Sequence, residues 1–108
     1  MPKPKRVGPP TVTPVTLDGV RYEALHWGRE RGLGQNGGYV LAFDAASNQE
    51  LWTARIYAID YVPKLETDVQ DIFIRTLEAG ANGQLLVTDE RGRRFTLDIA
   101  KREAAPLP

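Results

Sequence analysis

Three short polar stretches, each led by an aspartate and flanked by runs of β-branched and aromatic residues, constrain this chain more than any other feature. Asp18-Gly19 separates Val15-Thr16-Leu17 from Val20-Arg21-Tyr22-Glu23-Ala24-Leu25, and Asp-Gly suits a type I′ turn because both residues tolerate positive φ. The polar turn 44–49 separates Tyr39–Phe43 from Glu50–Tyr57, and Asp89-Glu90-Arg91-Gly92-Arg93 separates Gln84–Thr88 from Arg94–Ile99. Each reads as a β-hairpin. Within Glu50–Tyr57, alternation puts Trp52, Ala54 and Ile56 on the core face and Leu51, Thr53, Arg55 and Tyr57 on the other. Phe95, Leu97 and Ile99 point inward by the same rule, and Tyr57 and Tyr61 are the aromatics expected at the surface.

The segment from Leu65 to Leu77 carries two conflicting signals. Leu65, Val69, Ile72, Phe73 and Thr76 fall at helical spacing, whereas residues 71–78 are β-branched and alternate, which favours a strand. The expected fold class is therefore mainly β, a small antiparallel sheet of hairpins, barrel- or sandwich-like with propeller-blade-like turns. The alternative is α+β with one helix near residues 65–77.

A chain of 108 residues is sized for one domain. Prolines at positions 2, 4, 9, 10 and 14 mark residues 1–12 as a tail, basic through Lys3, Lys5 and Arg6. A single β-rich domain is expected over residues 13–100, followed by a frayed C-terminal tail over 101–108. No apolar run follows the basic N-terminus, so it reads as an uncleaved cytoplasmic chain, and no apolar stretch approaches membrane-spanning length.

The sequence pattern Ala42-Phe43-Asp44-Ala45-Ala46-Ser47-Asn48-Gln49-Glu50-Leu51-Trp52 resembles the repeat of quinoprotein-type (pyrroloquinoline-quinone-like) β-propellers, Ala-x-Asp-x-x-Thr-Gly-x-x-x-Trp. Ser47 replaces the usual Thr and Asn48 the usual Gly, and Asn tolerates the left-handed conformation of such a turn. The resemblance implies structural roles: Asp44 and Ser47 bonding amides of the turn, and Trp52 covering neighbouring strands. A ring needs four or more blades, so it implies no cofactor here. Gly92–Ala100 partly echoes Gly38–Ala46, hinting at two related β-units.

Candidate chemistry is sparse. Gly32-Leu33-Gly34-Gln35-Asn36-Gly37 satisfies the dinucleotide pattern Gly-x-Gly-x-x-Gly, but a strand rather than a helix follows, so a mobile loop is the plainer reading. Arg29 and Arg31 beside Gly34, with His26, make this loop, 28–38, the candidate anion or small-ligand site. Glu66, Asp68 and Asp71 are the candidate acidic cluster, in a segment expected to be solvated. The chain has no cysteine, one histidine and one serine, Ser47, which leaves no catalytic residue to nominate and argues against a metal site.

Lys plus Arg equals Asp plus Glu, 14 of each, so no overall field draws in nucleic acid. The expected function is that of a non-enzymatic protein-interaction or self-assembling module, with a protein partner or a second copy in a dimer. A ligand-binding protein using the glycine-rich loop is the alternative.

Overall fold

The computed structural model describes residues 8–61, 63 and 70–107. Two four-stranded antiparallel sheets follow one another along the chain. The first is a meander of β1 (Val15–Leu17), β2 (Val20–Leu25), β3 (Tyr39–Asp44) and β4 (Glu50–Arg55). The second is a meander of β5 (Ile74–Ala79), β6 (Gln84–Asp89), β7 (Arg94–Asp98) and β8 (Glu103–Pro106). The protein is mainly β, as expected, and among the described residues no helix is long and apolar enough to cross a membrane.

The sheets face each other across one core. Val40, Ala42 and Ala54 of the first meet Leu77, Leu85, Val87, Phe95 and Leu97 of the second. Period-two alternation selects these residues: β6 alternates part-buried and buried along its length, and β7 buries Phe95 and Leu97. Strands in equivalent positions lie beside each other, β1 near β5 and β4 near β8. The arrangement is sandwich-like.

The two meanders repeat one design. Both open on a turn with two positive-φ residues, Asp18-Gly19 (50° and 78°) and Asn82-Gly83 (55° and 74°). Both end on an aspartate-led turn. Asp44 accepts the Ser47 N–H on its carboxylate and the Asn48 N–H on its carbonyl, and Asp98 does the same for Lys101 and Arg102. Asn48 and Arg102 both sit at left-handed φ, 64° and 59°. In each unit the residue after the aspartate, Ala45 or Ile99, donates its N–H to the turn glycine, Gly19 or Gly83. The echo between Gly38–Ala46 and Gly92–Ala100 thus falls on equivalent third strands.

The strand expected over residues 71–78 is observed as β5, Ile74–Ala79, so no helix runs on to Leu77, while residues 64–69 lie outside the described residues. Other expectations need correction. The C-terminal tail is not frayed over 103–106: β8 pairs with β7, Ala104 packs on the core, and the Leu107 N–H bonds the Arg94 carbonyl. Its turn was hidden because Arg102, rather than Asn or Gly, takes the left-handed position. The N-terminal tail is fastened within its expected span, since Pro10 accepts a hydrogen bond from His26 and Val12 packs on the core.

Tyr57 is buried, not exposed. β4 ends at Arg55, alternation stops there, and the chain crosses toward the second sheet. The Tyr57 ring stacks on Phe95 at 5.2 Å and its hydroxyl donates to the Ile72 carbonyl at 2.6 Å.

Leu85, fully enclosed between the sheets, tests the shared core. Leu85→Ala is expected to lower unfolding free energy by about 2–5 kcal/mol, measured by urea denaturation.

Candidate functional site

The loop that joins β2 to β3 is far longer than its counterpart between β6 and β7, and buried polar side chains fix its path. Gln35, 4% exposed, donates from Nε2 to the carbonyls of Gly37 and Tyr57, both at 2.8 Å, and accepts the Ile59 N–H at 2.8 Å. These bonds join the loop to the crossover after β4. Glycine is required twice by close approach: a Cβ at Gly28 would lie 2.3 Å from the Gln35 carbonyl oxygen, and one at Gly37 would lie 2.4 Å from that of Ile72. A loop specified by so many contacts is an ordered structural element rather than a loose phosphate cradle. It packs on Tyr39, which explains why β3 is buried on both faces at its start.

Within it, Gly28–Arg31 forms a 3-10 turn that sends the two arginines to different partners. Arg31 bonds both carboxylate oxygens of Glu50 on β4, each at 2.6 Å. The Arg29 guanidinium lies 4.6 Å from the centre of the Tyr61 ring. Gly34 is exposed, with open space beside it. The four residues of the candidate anion site therefore do not converge on one ligand position.

Asn36 and Tyr61 instead link Arg29 to a residue from the acidic segment. Asn36 accepts the Arg29 N–H on Oδ1 at 3.2 Å and donates from Nδ2 to Asp71 at 3.0 Å. The Tyr61 hydroxyl donates to the other Asp71 oxygen at 2.5 Å. Burial and this bond push the Tyr61 pKa up to about 12. Asp71 is buried rather than solvated, and Glu66 and Asp68 lie outside the described residues. Sequence reasoning missed Gln35 and Asn36, whose only signal was two amide side chains among glycines.

His26 is a packed residue. Its Nε2 is 2.8 Å from the Pro10 carbonyl, which can only accept, so Nε2 carries the proton. Nδ1 is buried with no partner among the described residues. The ring meets Phe73 edge-on at 5.0 Å, and Trp27, 46% exposed, does so at 5.5 Å. Burial holds the His26 pKa below its ordinary value, opposed by the Pro10 bond and the charge of Glu90.

In the turn between β3 and β4, the Ser47 hydroxyl donates to Asp44 at 2.6 Å and accepts the Gln49 N–H. Bonds from Ser47 hold the Asp44 pKa below the usual carboxylate range. Trp52 packs against the core, its ring 5.8 Å from Tyr22 and 5.3 Å from the Arg102 guanidinium.

Beyond this turn, β4 has an open side. The Ile56 N–H bonds the Gly38 carbonyl, and antiparallel pairs alternate, so Val40↔Ala54 and Ala42↔Trp52 exchange backbone bonds. Thr53 and Arg55 then direct their N–H and C=O groups away from β3. Both are exposed, as is Leu51, at 47%. No protein-family model matches the chain, and no curated protein matches its sequence.

Because His26 is the chain's one histidine, its burial is expected to appear in stability. Its folded pKa lies below 6.5, so its contribution is fully present above that pH and is lost as pH falls toward the folded value. The urea midpoint should drop between about pH 8 and about pH 5.5. His26→Gln, which keeps a donor for Pro10, should remove the part of the drop that lies near pH 6.

Proposed function

We propose that this chain is a non-enzymatic, self-assembling interaction module whose contact surface is the open edge of β4. The observation that carries the reading is a contrast among the four sheet edges. β1 is three residues long and follows Pro14; β8 ends at Pro106; β5 has Thr11 and Thr13 beside it. β4 runs for six residues without a proline, and it presents the backbone groups of Thr53 and Arg55 outward. Unpaired edges of this kind recruit another strand unless they are blunted.

A second copy is the occupant that the strand's own pattern favours. Antiparallel pairing with Thr53 opposite its counterpart sets Arg55 of one chain against the Glu50-Leu51 end of the other, so opposite charges approach on both sides of a two-fold axis. The two first sheets become one continuous eight-stranded sheet. The polar groups used elsewhere for nucleophilic chemistry have other work here: Ser47 bonds Asp44 within a turn, and His26 bonds Pro10. Arg31, paired with Glu50, supports the edge rather than an anion pocket.

Sedimentation from about 1 μM to about 1 mM should show a concentration-dependent dimer, the common form of homo-oligomer. Thr53→Pro removes only an outward-facing donor and is expected to give a monomer with an unchanged far-UV circular dichroism spectrum. A wild-type chain that stays monomeric throughout this range, or a folded Thr53→Pro dimer, overturns the proposal.

A further inference from the structure

A cleft on the described surface lies away from both the loop and β4. It has a volume of about 450 Å³ and opens between the two type I′ turns, where the ends of the facing sheets separate. The gap has a sequence cause. The second hairpin contributes Gly80 and Gly83 to its wall, so no side chain from those positions fills the space between the turns. Leu17, Val20 and Ile99 supply apolar surface, and Tyr22 forms part of the wall.

Two polar groups at this cleft have no hydrogen-bond or ion-pair partner among the described residues: the carboxylate of Asp18 and the hydroxyl of Tyr22. They act on each other, since the charge of Asp18 adds to burial in raising the Tyr22 pKa. Among the described residues, no basic side chain lines the cleft. An apolar slot with one unneutralised carboxylate at its rim complements a cation carried on a flat apolar body.

We propose that the cleft between the Asp18-Gly19 and Asn82-Gly83 turns binds a small aromatic amine, with the ring between Leu17, Val20 and Ile99 and the ammonium on Asp18. The Tyr22 hydroxyl accepts a second hydrogen bond from the same ammonium. Such a ligand has roughly ten to twenty non-hydrogen atoms, which suits a cleft of this size. The site is independent of the β4 edge, on the opposite flank of the first sheet, so either proposal stands without the other.

The repeated design supplies a variant that removes the charge and keeps the turn. Asn82 holds in the second unit the left-handed conformation that Asp18 holds in the first, so Asp18→Asn leaves the backbone unstrained. Tryptamine is the probe, tryptophol its neutral counterpart, and Nα-acetyl-lysine methylamide an ammonium without an aromatic ring. Titrations followed by amide chemical shifts should give tryptamine a Kd of about 0.1–1 mM, with shifts concentrated at Val20, Gly83 and Ile99. Asp18→Asn should weaken tryptamine about fivefold and leave tryptophol unchanged. Ala100→Tyr, at the rim, should weaken both. The proposal is overturned if tryptamine at about 5 mM leaves those amides unmoved, since that is well above the expected Kd. It is also overturned if folded Asp18→Asn binds tryptamine as the wild type does, or if the lysine derivative binds as tightly as tryptamine.

Discussion

Neither four-stranded meander can exclude water from its apolar face alone, and the burial of each face by the other is the interaction on which everything else rests. Val40 and Ala42 on one side and Leu85, Val87 and Leu97 on the other are nearly or fully inaccessible only because the sheets are stacked. That stacking fixes where the edges fall, so it decides which strands are left open. It also sets the distance between the paired turns, and with it the cleft beside Asp18. The surfaces considered for function are consequences of one packed interface.

The loop between β2 and β3 contributes in a different way. In the second unit the corresponding connection is short and is closed by Asp89, whose fully buried carboxylate takes the N–H groups of Arg91 and Arg93 and the Arg93 side chain. In the first unit the extra residues fold back over Tyr39, and Gln35 takes the place of that single aspartate as the polar anchor. Both connections follow the same requirement: a buried polar group is tolerated when its bonds are satisfied, here chiefly by the backbone it organises. The first unit is thereby covered on the face turned away from the core, at the Tyr39 end.

Much of the architecture could be read from the chain because hairpins are local. Asp18-Gly19, the Asp44 turn and the Gly92 turn specify their own geometry, and alternation around Trp52 and Phe95 identifies the core side. What escaped the sequence depends on contacts between distant residues. Tyr57 is buried because the chain leaves β4 and crosses to Phe95, and Asp71 is buried because Asn36, from a segment far away in sequence, reaches it together with Tyr61. β8 was obscured for a third reason. A left-handed turn carried by Arg102 lacks the residue preference that marks Asn48, and only the matching bonds to Asp98 reveal it. The arginines of the loop illustrate the limit for sites: two like charges two residues apart suggested one anion, whereas the 3-10 turn sends them to Tyr61 and to Glu50.

Every strand pairs only with its neighbour in sequence, and one crossover joins the two sheets. Such an order has a kinetic meaning. Apart from the long β2–β3 loop, closure within each meander is short, so each sheet is able to grow by zipping outward from a turn. The one long-range entropic barrier is the docking of two partly formed halves. The facing apolar side chains of the two sheets, rather than any hairpin, are then expected to set the rate of folding.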